Sequence, residues 1–130
     1  MTTFEVEGGV DIRTNRLKGS GTEPLNVGWG TGAGTTTRSD TSLFTAALVD
    51  LTAGNTDHTA GTSTRQTTNT TNDTYQVIAT RTATGAGTVT NAGLWDAASG
   101  GNLFLKGDFT GIGLSSGDAI QFTIKAIFDN

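Results

Sequence analysis

The residues able to do chemistry are few and scattered. Asp96, Asp108 and Asp118 lie in the C-terminal third of the chain. Two carboxylates about 5–9 Å apart can hydrolyse a glycosidic bond, one as acid and the other as nucleophile or base. Each of these aspartates, however, sits beside a glycine or a strand end, where aspartate ordinarily hydrogen-bonds its own turn. Asp96, Asn102 and Asp108 also offer oxygen ligands for a hard cation, but without the dense spacing of a calcium loop, and no metal is expected. His58, the single histidine, lies between Asp57 and Thr59 and reads as a solvated loop imidazole. A catalytic histidine needs both a nucleophile and an orienting acid. With no second histidine and no cysteine, a zinc site is not expected either.

The glycine-rich run Gly28-Trp29-Gly30-Thr31-Gly32-Ala33-Gly34 invites comparison with a phosphate loop. Such a loop needs a lysine after its last glycine to reach the phosphates; here Thr35-Thr36-Thr37-Arg38 follows. A dinucleotide fingerprint needs a preceding buried strand, and Asn26-Val27 offers almost none, so the run reads as a loop. Trp29 and Trp95 could stack on sugars, but core or interface packing is the commoner use of tryptophan. The expectation is a protein without enzymatic activity and without a cofactor.

Composition narrows the class further. The chain has 130 residues, 19 of them glycine, one proline, no cysteine and only 15% charged residues, and threonine dominates the remainder. Threonine favours strands and glycine supplies turns. A net charge of −4 argues against a nucleic-acid or anionic-membrane partner. No apolar run approaches the roughly 18 residues that cross a bilayer. The N-terminus lacks the basic start and apolar core of a signal peptide, and the absence of cysteine fits synthesis in a reducing host cytoplasm.

The elements that must position any site are mostly strands. Ile120, Phe122, Ile124, Ala126 and Phe128 alternate with Gln121, Thr123 and Lys125, the period of a half-buried strand. Strands are predicted at 74–84, 87–95, 102–109 and 118–128, joined by tight turns. The Thr-rich segment 62–71 pairs with 74–84 as a hairpin across Asn72-Asp73 and, having little to bury, belongs at a sheet edge or against another subunit. One short helix is expected near 40–49, capped by Ser39 or Asp40 and carrying Leu43, Phe44, Ala47 and Leu48. The core is assigned to Tyr75, Val77, Val89, Leu94, Leu103, Leu105, Phe109, Ile120, Phe122, Ile124 and Phe128, with Leu43, Phe44 and Leu48 over one end. The fold class is therefore all-β, a jelly roll or β-sandwich with one short helix and an extended N-terminal arm.

Residues 1–27 form that arm and 28–130 the domain. A small hairpin around Glu7-Gly8-Gly9 is conceivable, but Arg13 to Glu23 has no apolar pattern beyond Leu17. Either the segment lies on a neighbouring subunit or partner, or it is a frayed terminus. On the first reading its contacts are Phe4, Val10, Ile12, Arg13, Arg16 and Lys18.

The stretch from Asn72 to Phe128 resembles small structural proteins of tailed bacteriophages. The resemblance rests on Asn72-Asp73-Thr74-Tyr75-Gln76-Val77, on Val89-Thr90-Asn91-Ala92-Gly93-Leu94-Trp95-Asp96-Ala97, on Gly100-Gly101-Asn102-Leu103-Phe104-Leu105-Lys106-Gly107-Asp108-Phe109, and on Leu114-Ser115-Ser116-Gly117-Asp118 with the last strand. It implies a virion protein, expected here to be a capsid decoration (cement) protein. Such a protein would be a homotrimer on the capsid exterior, bound to the major capsid protein lattice and stapling neighbouring subunits through its arm. The alternative is a tail or tail-fibre β module that contacts a host receptor or glycan.

Overall fold

A computed structural model describes residues 2–54 and 57–128. The described residues form two antiparallel sheets and one helix. Strand β1 (Thr2–Glu5) leads into helix α1 (Glu7–Lys18), then β2 (Asn26–Gly30), β3 (Ala46–Ala47), β4 (Thr59–Ala60) and β5 (Thr62–Gln66). The long strands β6 (Thr74–Thr82), β7 (Gly87–Trp95), β8 (Leu103–Leu114) and β9 (Ala119–Ile127) follow. The larger sheet has the order β1-β8-β7-β2-β3, with β4 also paired to β2, and the smaller has the order β5-β6-β9. The four strands expected from alternation are present, as is the 62–71/74–84 hairpin, with β5 at the sheet edge.

The core lies between the sheets. Ile12, Val27, Val77, Ala79, Leu94, Phe104, Leu105 and Ala126 form one cluster; Trp29, Ala47, Ala83, Val89 and Leu114 form a second. Val77, Val89, Leu94, Leu103, Leu105 and Leu43 are buried as expected, while Tyr75, Phe109, Ile120, Phe122, Ile124, Phe44 and Leu48 are only partly buried. Phe128 was assigned to the core and is half exposed.

The helix is not where the sequence pointed. Residues 40–49 form turns and the short strand β3, because other groups take the backbone partners a helix needs. The buried Asn91 side chain accepts from the Phe44 N–H (3.0 Å) and donates to the Phe44 carbonyl (3.1 Å). Asp40, expected as a helix cap, instead accepts from the Thr37 backbone N–H (3.1 Å) and the Lys106 ammonium (2.8 Å).

The helix lies within the segment read as an extended arm. Its N-cap, Val6, offers no side-chain hydrogen bond, and two glycines sit in its first turn, so propensity does not explain it. Packing does. A Cβ on Gly9 would overlap the Phe104 carbonyl oxygen, and one on Gly8 would stand 3.0 Å from that of Leu103. Glu7-Gly8-Gly9 is thus no hairpin turn but the place where the helix lies directly on β8. Gly19, at φ +89°, ends the helix, with its N–H bonded to Arg16 O and that of Ser20 to Asn15 O. Strand β1 pairs with β8 from Thr2↔Asp108 to Glu5↔Leu105. The N-terminal segment is therefore part of the domain, and residues 26 and 27 begin a fully buried strand.

That strand, β2, takes up the first three residues of the loop expected at Gly28–Gly34, while residues 31–34 remain a loop. It pairs with β7 over its whole length, and Trp29 is fully buried with its indole N–H donating to the Leu48 carbonyl at 3.0 Å. The pair Gly54-Asn55 is turn material by composition; Asn55 lies outside the described residues.

Candidate functional site

The carboxylates that might have done chemistry are engaged as hydrogen-bond acceptors. Asp96 accepts from the Asn102 backbone N–H at 2.7 Å and its side-chain amide at 3.2 Å, and Asp118 accepts from the Ser115 N–H at 2.8 Å. Both are turn aspartates. Asp108 is not: it accepts from the Thr36 N–H at 3.0 Å and ties a distant loop to β8. Its bonds to Thr36 hold its carboxyl below the ordinary 3.8. Among the described residues, no three His, Cys, Asp or Glu side chains gather as a metal site.

His58 is not the solvated imidazole expected. It is buried and stacked on Trp95 with 4.6 Å between ring centroids, and its Nδ1 lies 2.9 Å from the Ala97 carbonyl. Trp95 and Trp29 are themselves buried, so neither is a platform for a sugar.

Among the described residues two cations, Arg81 and Lys106, are buried, and no local pattern announces either. Arg81 is fully buried, donating to the Asp57 carbonyl (2.8 Å), Thr59 Oγ1 (3.0 Å) and the Ala47 carbonyl (3.2 Å), with its guanidinium 4.9 Å from the Trp29 ring centre. Lys106 is 1% exposed, bonded to Asp40 and 3.3 Å from the centre of the Phe44 ring. Four consecutive residues of β8, Leu103–Lys106, are buried. A strand achieves that only when both faces are covered, and the 36–44 loop, clipped to Lys106, Asp108 and Asn91, supplies cover.

A surface suited to contact lies on the flank where α1, β1 and β9 meet. A groove of about 560 Å³ runs between the helix and the end of the sandwich, floored by Ile12, Tyr75 and Phe104 and rimmed by Arg13, Arg16, Leu17 and Phe128. Leu17 is 85% exposed, Phe128 50%, Ile127 48% and Phe4 38%. This is a concentration of exposed apolar surface in a chain poor in large apolar residues, and such patches mark contact sites.

The polar groups of the flank are fixed in place. Arg13 pairs with Glu5 at 2.8 Å and lies 5.7 Å from the Phe128 ring centre. Arg16 donates to the Gly21 carbonyl at 3.0 Å. The Tyr75 hydroxyl donates to the Pro24 carbonyl (2.8 Å) and to Glu23 (3.2 Å). Burial, reinforced by the Glu23 charge, raises the Tyr75 pKa well above its ordinary 10. The phenol stays protonated and acts as a strut between β6 and the segment after α1. This is chemistry of contact and positioning.

Of the six contact residues expected from the sequence, Phe4, Arg13 and Arg16 do come together on this flank. Ile12 lies in the floor of the groove, 4% exposed and packed into the core. Val10 and Lys18 lie exposed on α1 outside the groove. Leu17, Tyr75, Phe128 and the β9 edge were missed as site residues. An unaccompanied Leu17 in a polar stretch was the one available signal for the first of them.

The family model for the podophage GP4 fiber I protein gp80 matches residues 17–128. No curated protein and no solved structure matches the chain. The match spans every strand except β1 and takes in only the last two residues of α1. The chain belongs to the podophage GP4 fiber I protein gp80 family and is a structural protein of the bacteriophage virion.

Proposed function

We propose that the chain is a non-catalytic β module of a phage fibre, a rigid body that joins other virion components through its α1/β1/β9 flank. The family match over residues 17–128 carries this reading. The structure supports it in two ways. The candidate catalytic carboxylates are spent on turns and loop ties, and the buried cations and aromatics stiffen the body.

Capsid decoration depended on an adaptable charged arm that would staple lattice subunits. With that segment folded onto β8, the proposed clamp is gone, which favours the fibre reading. The homotrimer rested on two segments thought to need another chain for completion. Strand β1 and helix α1 are seated on β8 within the chain, while β5 stays at a sheet edge, paired to β6 alone.

A phage lacking this chain separates the two placements. The fibre reading predicts DNA-filled heads of normal osmotic resistance on particles that lack an appendage and adsorb poorly to cells. Heads that rupture readily while adsorption is normal would return the protein to the capsid surface.

A further inference from the structure

We propose that the groove beside α1 seats a short acidic segment of a different virion protein. An apolar side chain of that segment fills the floor, and its carboxylates meet the cations of the rim. The inference rests on the flank being a contact surface, as proposed above, and names the chemistry of what it contacts.

Lining and size favour a peptide. The groove, at about 560 Å³, is of the size that takes a compact ligand or a few side chains. Its floor is apolar, and two of its residues, Tyr75 and Phe104, brace each other edge to face with 6.4 Å between ring centres. The Tyr75 hydroxyl is engaged by the Pro24 carbonyl and Glu23, so it has no spare proton to donate into the groove. A sugar, whose hydroxyls each need a partner, gains little on such a floor, whereas an aliphatic or aromatic side chain loses nothing there. Leu17 stands on the rim 85% exposed, an apolar group that only a partner can cover.

Charge selects the sign of the partner. A second hollow of about 410 Å³ shares Arg13 and Phe128 with the groove and continues it toward β9. Two acids line the pair of hollows, and both are engaged within the chain. Glu5 pairs with Arg13 at 2.8 Å, and Glu23 accepts from Ser63 Oγ at 2.5 Å and from Tyr75. Arg13, Arg16 and Lys125 line the same hollows, and Lys18 ends the helix beside them. Among the described residues Arg16, Lys18 and Lys125 meet no carboxylate.

Arg16 is the best placed of these cations. It makes one hydrogen bond, to the Gly21 carbonyl, which leaves most of its guanidinium fork for a carboxylate. Glu7 and Asp11 lie nearer the other end of α1 and line neither hollow. The chain as a whole carries −4, so this basic rim is local, and an acidic segment that the rest of the surface repels is drawn to it.

The test uses intact virions carrying the full chain with the photo-cross-linker benzoylphenylalanine in place of Leu17. The control carries it in place of Thr80, exposed on the outer face of β6. Illumination is expected to join the Leu17 position, and not the Thr80 position, to a different virion protein. Mass spectrometry is expected to place the link in a segment where aspartate or glutamate flanks an apolar residue. A synthetic peptide of that segment is expected to bind the full chain, and Arg16→Glu to weaken binding about tenfold or more. With the peptide's carboxylates replaced by lysine, Arg16→Glu is expected to bind more tightly than the unaltered chain, a reversal that loss of folding does not imitate. A link to a basic or uncharged segment, to a host glycan during adsorption or to a second copy of this chain would overturn the acidic groove. So would equal linking from Thr80, or no link at all. An acidic segment belonging to a head protein would remove the fibre placement and leave the groove standing, so the two readings fail separately.

Discussion

Asn91 holds Phe44 by both backbone groups, accepting its N–H at 3.0 Å and donating to its carbonyl at 3.1 Å. A buried side-chain amide on β7 thereby imitates a neighbouring strand and fastens the 36–44 loop across the larger sheet. Truncation would leave both Phe44 groups without their partner. Asn91→Ala is expected to cost about 2–3 kcal/mol, the penalty of buried polar groups left unsatisfied, read as a lower urea midpoint at unchanged slope.

Lys106 and Asp40 should respond unequally to mutation. Removing one partner of a buried ion pair strands the other charge, whereas an apolar residue of similar length in place of the buried cation can be nearly neutral. Burial of Asp40 works to raise its pKa, but the bonds from Lys106 and Thr37 outweigh it and hold the carboxyl below 3.8. Asp40→Ala is expected to cost about 3 kcal/mol and Lys106→Met less than about half of that, both by thermal or urea unfolding.

Gly9→Ala sets two effects against each other. Alanine in a helix interior is ordinarily favoured over glycine by about 1 kcal/mol. Here the added methyl would overlap the Phe104 carbonyl, and overpacking of that kind costs about 1–3 kcal/mol. Net destabilisation with partial loss of helix signal in circular dichroism is the expected result. A stabilised variant would mean that α1 does not lie on β8.

Acid should loosen the hairpin end of the smaller sheet first. Asp73 accepts from the backbone N–H groups of Thr70, Thr68 and Asn69 at 2.8–2.9 Å and from the Thr74 hydroxyl. The Thr70 bond leads the contributions that hold its pKa far below the ordinary 3.8. A depressed folded-state pKa means stability that is fully present above the unfolded value and lost as pH falls through the folded one. Unfolding measured from pH 5 downward should therefore show stability falling below about pH 4, with a shallower fall in Asp73→Asn.

The parts of this fold legible in the sequence are those governed by nearest neighbours. Alternation in Ile120–Phe128 and the turns at Asn72-Asp73 and Gly117-Asp118 gave β5 to β9. The helix was misplaced because its cause is not local. Gly8 and Gly9 read as a turn until β8 is there to be touched, and Leu43-Phe44 read as helical until Asn91 takes the backbone bonds. The strand β2 was hidden by its glycines, and Trp29 alone hinted at it. Of the flank, the sequence supplied Phe4, Arg13 and Arg16 but not Phe128, whose place in the alternation pointed it inward although the strand ends at Ile127.

The most direct test of the central claim, that this is a fibre module, is a cryo-electron microscopic reconstruction of the intact virion. The account predicts that the six-plus-three-stranded sandwich fits density in a fibre, with its α1/β1/β9 flank turned toward another protein chain. Density for the sandwich distributed over the faces of the head, or none anywhere on the particle, would contradict it.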